Sequence, residues 1–334
     1  MRLPPFEVLE PATLKNALSM LEKHKGKVKV IAGGTEIVGL MKLGLSAPPY
    51  ILSLRKIKNL QGIKESEGRI IIRSNTTLRE IIESSLINDL FKGIFQAANS
   101  VAAPPIQNRA TIGGNILQNS RCMYYNQSEL FRNGLKPCYK AGGDMCRAVK
   151  GGNRCFSVYQ SDMAPALISF NARVKLEKSD SSRTILISDL FTGKGENPHS
   201  IGENELLTDI IIPIPKGQYS SAYEKLRIRK SLEYPLMSSA VFMSGNINGE
   251  IIDACIVLGA AGSSPKIIDK APEALKGKKP SDKDIEEASE AVLQQVEAAD
   301  NLPVPASYRR KMAIIYTKRA IQKALKDLRK DRQL

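Results

Sequence analysis

Four of the five cysteines, Cys122, Cys138, Cys146 and Cys155, stand in one polar, glycine-rich stretch, residues 119–160, separated by 15, 7 and 8 residues. That spacing lacks the paired C-x-x-C knuckles of a zinc ribbon. Four thiolates on one loop can enclose either zinc or an iron–sulfur cluster. The wide, irregular intervals favour a cluster, whose larger body needs chain wrapped around it. The stretch carries Arg121, Arg132, Lys136, Lys140, Arg147, Lys150 and Arg154 against Glu129 and Asp144. Such cations suit an anionic, thiolate-bound centre and would steer a small acidic electron carrier towards it. Disulfides are not expected, because cytosolic thiols stay reduced. Cys255, in the apolar run Ile252-Asp253-Ala254-Cys255-Ile256-Val257, reads as a core residue.

Two glycine pairs offer a second kind of chemistry. Val30-Ile31-Ala32-Gly33-Gly34-Thr35-Glu36-Ile37 reads as a strand, a tight turn with a hydroxyl residue, and a helix. It has no third glycine at dinucleotide-fold spacing and no following Gly-Lys-Ser/Thr, so it matches neither common nucleotide fingerprint. Glycines there permit positive φ and close backbone approach, and successive N–H groups can converge on an anion. The second pair, in Thr111-Ile112-Gly113-Gly114-Asn115, brings the same tools, and two such pairs suit a long ligand with a diphosphate-linked body. The two histidines, His24 and His199, sit in no zinc spacing and beside no nucleophile, and both are expected at the surface. A cofactor, rather than a side-chain acid or base, must therefore carry any chemistry.

The elements that position these groups follow from pattern. Leu14, Ala17, Leu18 and Leu21 form one helical face after the cap Thr13, and strands are expected at 27–32 and 50–54. This start, residues 1–57, reads as a small α/β subdomain with some parallel pairing. Residues 62–65 and 69–73 form a hairpin, Thr77 and Glu80 a capping box, and residues 89–101 a helix stopped by Pro104-Pro105. Strand-like patterns follow at 164–168, 172–176 and 207–213, which makes 58–216 a second, larger unit with the cysteine insert at about 119–160. Lys216-Gly217 is a linker. Residues 220–330 read as strands, 238–243 and 251–258, followed by two helices, a separate α+β domain.

With 49 basic and 34 acidic residues the chain carries +15, and the stretch Arg309 to Arg332 is strongly basic. There Ile314, Ile321, Ala324, Leu325 and Leu328 recur at helical spacing, so the charges are assigned to the wet face of an amphipathic helix. Aromatic platforms and recognition motifs for nucleic acid are missing. No apolar run reaches the roughly 18 residues of a membrane span, and no secretory signal is evident, so a soluble cytoplasmic protein is expected.

Taken together in this order, Ile31 to Ile37, Asn108 to Ile116, Ser161-Asp162 ahead of Ala164 to Leu167, and Tyr223 to Arg229 resemble the FAD-binding subunit of molybdenum hydroxylases, the family of xanthine dehydrogenase and carbon monoxide dehydrogenase. The resemblance covers essentially the whole chain. It implies a two-part FAD-binding domain, a small α/β subdomain and a larger mainly antiparallel one, followed by a C-terminal α+β domain with an antiparallel sheet. It implies that residues 30–37 wrap the FAD pyrophosphate and that Thr111, Gly114 and Asn115 line its other side. Asp162 would take a polar contact to the cofactor and Lys225 would lie near the isoalloxazine. Gln107 and Pro105 depart from the family's usual arginine and glutamine.

A cysteine-bearing insert after the Gly-Gly-Asn element is similar to that of the β subunit of 4-hydroxybenzoyl-CoA reductase. This implies a 4Fe–4S cluster on Cys122, Cys138, Cys146 and Cys155. The implied partners are a large molybdopterin subunit, a small subunit with two 2Fe–2S clusters, and reduced ferredoxin as donor for removal of a phenolic hydroxyl from an aromatic acyl-CoA. The alternatives are a xanthine- or aldehyde-oxidising relative that passes electrons outward, and a basic zinc-binding interaction module without redox function.

Overall fold

The computed structural model describes residues 3–330, so Asp331 and Arg332 at the end of the expected basic helix lie outside the described residues. Three sheets organise the chain. The first is parallel, with Tyr50–Ser53 between Glu7–Leu9 and Val28–Ile31. Helix Leu14–Lys23 covers it. Thr13 caps that helix by accepting the Asn16 N–H, and Ala17, Leu18 and Leu21 pack with Leu52, Leu54 and Ile57. Burying each such Leu or Ile stabilises the fold by roughly 1.5–3 kcal/mol. Strand Val28–Ile31 leads through the Gly33-Gly34 turn into helix Ile37–Lys42, as the sequence predicts.

The second sheet is antiparallel and five-stranded: Ile63–Ser66, Arg69–Arg73, Leu206–Pro213, Arg173–Glu177, Ser182–Leu186, in that spatial order. Strict alternation puts Ile70, Ile72, Val174, Leu176, Ile210 and Ile212 on one face. Leu78, Ile81, Phe91, Ile94 and Leu167 from the helices share that core. The hairpin and the Thr77–Glu80 capping box form as expected.

The third sheet runs Lys266–Ile267, Ile251–Gly259, Met237–Gly245, Gln218–Leu226, all antiparallel, with helix Ala306–Lys330 laid across its last two strands. The molecule is therefore α+β, with a two-part first portion and a separate C-terminal sheet layer. Among the described residues, no helix is long and apolar enough to cross a membrane.

Several local expectations are corrected. Residues 164–168 form not a strand but the middle of helix Met163–Ser169, every residue of which is buried. An element apolar all round shows no period, so pattern alone cannot separate it from a core strand. The single helix expected at 89–101 is two, Ser85–Leu90 and Lys92–Ser100, broken at Phe91. Pro104-Pro105 opens a short helix, Pro104–Gln107, as proline at the first helical position can. The segment Ile112–Ile116 is likewise a short helix capped by Thr111. His199 is buried rather than at the surface, while His24 is half-buried and stacks against Tyr50.

The basic C-terminal helix buries Ala313, Ala320, Ile321, Ala324, Leu325 and Leu328, with Ile314 partly covered, and keeps most of its charges wet. Arg309 is the exception. It is fully buried and donates to Leu236 O (2.9 Å), Ala299 O (3.1 Å) and Ala260 O (2.5 Å), and burial pushes its guanidinium down to about 10. One side chain thus ties the C-terminal helix to three separate loops. Arg309→Met is expected to leave three buried carbonyls unpaired and to destabilise the chain by about 3–5 kcal/mol, measured by urea denaturation.

Candidate functional site

The two glycine loops meet face to face. A Cβ on Gly33 would stand 1.8 Å from Arg109 O, so only glycine lets residues 33 and 109 pass each other. Gly34 has φ +75°, in the region that favours glycine. Among the described residues, the backbone N–H groups of Gly33, Gly34, Thr35 and Glu36 reach no protein acceptor. Four successive free amides in a turn ahead of a helix make an anion-binding concavity. Val30 and Thr35 are exposed, and Ile31, Ala32, Glu36 and Ile37 are half-buried.

The second loop works differently from the expectation. Ile112 N–H donates to Thr76 O, Gly113 N–H to Ser74 O, Gly114 N–H to Thr111 Oγ1 and Asn115 N–H to Thr111 O. Its amides are spent on its own short helix and on segment 74–76, which the sequence reading passed over. Its glycines serve packing: a Cβ on Gly113 would meet Ser74 O at 2.8 Å. Asn115 Oδ1 accepts from Ser161 Oγ (2.6 Å) and Met163 N–H (3.3 Å), which brings residues 161–163 alongside. Gln107 is buried and donates to Val101 O (2.9 Å) and Asn99 O (3.2 Å), satisfying the end of helix Lys92–Ser100.

Asp162 and Lys225 do come together. Lys225 Nζ lies 3.0 Å from the Asp162 carboxylate and also donates to Ser100 O. Tyr223 OH donates to Asp162 Oδ1 at 2.7 Å. Burial pushes the Asp162 carboxyl up, against the pull of Lys225 and of the Tyr223 and Ser100 hydroxyls. Glu36 accepts the Asn119 N–H at 3.2 Å, and burial raises it too, opposed by that hydrogen bond and by Arg121. Arg121 stacks on Tyr234, whose hydroxyl burial also raises. Tyr234 and Ser100 had no sequence signal, and Tyr223 was marked only as part of the stretch Tyr223 to Arg229, with no role of its own. Their roles depend on strand register and loop approach.

The four cysteines line one cavity, together with Tyr125, Lys140, Met145 and Phe156 among others. All are free thiols. Arg121 and Val158 pair through two 2.7 Å backbone hydrogen bonds that close the neck of the insert, setting Cys122 and Cys155 at its base. Near the tip, Tyr139 N–H donates to Met145 O and Gly143 N–H to Cys138 O, which folds Cys138 back towards Cys146. A Cβ on Gly143 would meet Pro137 O at 2.0 Å, so this fold needs glycine. Burial pushes the Cys122 thiol up to about 11 and raises Cys155. Cys255 is partly buried against the main core and outside this group.

The insert's cations are less available for steering than their number suggests. Arg132 donates to Leu43 O, Gly44 O and Gln127 O, and Arg154 pairs with Glu297. Arg121 lies against Tyr234, and Lys140 turns inward. Lys136 and Lys150 stay exposed.

Comparison with known proteins matches this architecture. The model of the FAD binding domain in molybdopterin dehydrogenase matches residues 4–215. This chain belongs to that family. The CO dehydrogenase flavoprotein C-terminal domain matches residues 221–324. The chain is 27% identical to the carbon monoxide dehydrogenase medium chain of Afipia carboxidovorans, covering 96% of both, and 26% identical to the nicotinate dehydrogenase FAD-subunit of Eubacterium barkeri, covering 97% of this chain and 94% of that one. Among solved structures it is similar to the Cu,Mo-CO dehydrogenase, with TM-score 0.80, 26% identity, and 97% and 99% of the two chains covered. It is thus an oxidoreductase subunit of the molybdenum hydroxylase type, with FAD as its cofactor. The free amides at 33–36 and the close-packed glycines fit a pyrophosphate.

Two predictions follow from this geometry. Gly33→Ala or Gly34→Val should abolish FAD retention, read as lost flavin absorbance after gel filtration. Burial pushes His199 down to about 4, and its Nε2 lies 3.1 Å from Ile116 O. The unfolded chain therefore takes up this proton first, so stability should fall as pH drops from about 6.5 to about 4, by at most roughly 3 kcal/mol. His199→Asn should flatten that part of a stability–pH profile.

Proposed function

We propose that this chain carries both FAD and a 4Fe–4S cluster as the electron-transfer subunit of a molybdenum hydroxylase-type complex. Its partners are a large molybdopterin subunit and a small subunit with two 2Fe–2S clusters. The run of free amides at Gly33, Gly34, Thr35 and Glu36 is the observation that carries the flavin half of this reading. When bound, the flavin links two-electron and one-electron carriers. The amides of residues 33–36 hold the pyrophosphate, with Val30 to Ala32 and Ile37 framing the loop. Thr111, Gly114 and Asn115 line the other side. Asp162, held by Lys225 and Tyr223, would take a polar contact to the cofactor, and Lys225 would lie near the isoalloxazine. No side chain here acts as acid or base on the complex's substrate.

The cluster half rests on the cavity. Its four thiols rim a shared space. Four thiols are a donor set that suits an iron–sulfur cluster, and their wide intervals in the sequence favour it over zinc. When bound, the cluster supplies a one-electron relay. Ligation deprotonates the thiols, and the insert's inward cations offset the charge that results.

The similar proteins named above are dehydrogenases, which supports oxidation of a substrate in the molybdenum subunit with electrons passed outward to an acidic carrier. This is the better supported direction. The four-cysteine insert favours a second reading, in which ferredoxin supplies electrons for reductive dehydroxylation of 4-hydroxybenzoyl-CoA. Assaying the copurified complex with a panel of purines, aldehydes and N-heterocycles, and with 4-hydroxybenzoyl-CoA plus a low-potential donor, separates the two.

Cys138→Ser or Cys146→Ser is expected to lose most of the roughly four irons per chain while flavin content stays unchanged. Unaltered iron in both variants would remove the cluster from this assignment.

A further inference from the structure

Cys155 differs from the other three thiols of the cavity. It is buried while they are partly exposed, and a network of buried hydroxyls is drawn up to its sulfur. The Ser157 N–H points at Cys155 Sγ at 3.5 Å, and Ser157 Oγ lies 3.2 Å from the same sulfur. Ser157 Oγ is 2.6 Å from Ser120 Oγ, and both serines are buried. Lys140 Nζ reaches Ser120 Oγ at 2.5 Å, Gly195 O at 2.6 Å and Asn119 Oδ1 at 2.9 Å.

The hydrogens can be counted. The ammonium's three go to Asn119, Gly195 and Ser120. Gly195 O, which takes an ammonium hydrogen, also lies 2.5 Å from Ser120 Oγ and 3.0 Å from Ser157 Oγ; with the Ser120 hydroxyl turned to Ser157, the Ser157 hydroxyl hydrogen can go to the sulfur. That assignment completes itself when Cys155 is a thiolate, an acceptor with no hydrogen of its own. We propose that Lys140, Ser120 and Ser157 form a donor chain ending on Cys155 Sγ that raises the reduction potential of the cluster held by the cavity. The proposal rests on reading the cavity as an iron–sulfur site.

The physics is that of a charge change in a poorly solvated place. The couple takes up one electron from a low-potential one-electron donor, and no bond forms or breaks. The added negative charge spreads onto the thiolate sulfurs, so hydrogen bonds to sulfur and a buried cation nearby favour the reduced form. Donors in series polarise one another, which strengthens the last bond. The chain also has a direction in the fold. Asn119, which receives one ammonium hydrogen, donates its own N–H to Glu36 in the flavin-side glycine loop. The sulfur so tuned is therefore the one tied to that loop, and Lys140 and Ser157 act as positioning residues.

The test is an EPR-monitored redox titration of the purified complex, wild type against Ser157→Ala, Ser120→Ala and Lys140→Met. Iron analysis comes first. The expected result is unchanged iron and, in each variant, about a tenfold loss in the equilibrium constant for reduction, a shift of about 59 mV to lower potential for one electron. Lys150→Met, which removes an exposed cation of the same insert, should move the potential much less. Should Ser157→Ala lose iron, Ser120→Ala decides the matter, because it touches no sulfur. Variants that keep iron and shift no further than Lys150→Met overturn the donor chain while leaving the cluster in place. A wild-type complex with only its partner subunit's iron overturns the cavity reading itself, and the donor chain with it.

Discussion

Where the two glycine loops meet, a carbonyl oxygen, that of Arg109, occupies the space where a side chain on residue 33 would be. The exclusion brings two backbone loops from different sheets to contact distance without side chains between them. It also explains why the first loop's amides stay free. A turn pressed against a neighbouring backbone cannot curl to bond its own N–H groups, and among the described residues those of 33–36 reach no protein acceptor. Amides without a protein partner at exposed and half-buried residues are open to a ligand, so an arrangement of this kind suits a site where a ligand completes the bonding.

The same economy governs the insert. A loop of nearly forty residues, 122–157, has little apolar content with which to fold alone, and it is held by its neck and by cations that turn back onto the scaffold. Arg132 grips the carbonyls of Leu43 and Gly44, Arg154 pairs with Glu297, and Lys140 fills its donors on Asn119, Ser120 and Gly195. Charges that look on paper like a steering surface are largely fasteners. What they fasten is a thiol-lined cavity beside the flavin loop, linked to it through Asn119 and Glu36.

Much of the scaffold was legible in the chain because its elements are amphipathic. The face Ala17, Leu18, Leu21, the alternation through Ile70 and Ile72, and the Thr77–Glu80 box each announce one structure. Where burial is total the period vanishes, and residues 164–168 read as a strand although they lie in a helix. Polar residues mislead in the opposite sense: Arg309 and His199 look like surface residues and are buried, one satisfied by three carbonyls and the other near the Ile116 carbonyl. Nothing local marks them, since their partners lie far away in sequence.

The sequence by itself determined which groups could do chemistry: two glycine pairs, four thiols on one loop, and a family pattern with an FAD-binding subunit. These are matters of residue type and order, which survive in a one-dimensional string. Only the tertiary structure decided how the groups divide the work. The first glycine loop keeps its amides free while the second spends them, Asp162 pairs with Lys225, and Cys155 lies beside buried hydroxyls that lead to Lys140. Each outcome depends on which backbone group comes within about 3 Å of which other, and that distance is set by the packing of sheets and helices far apart in the chain.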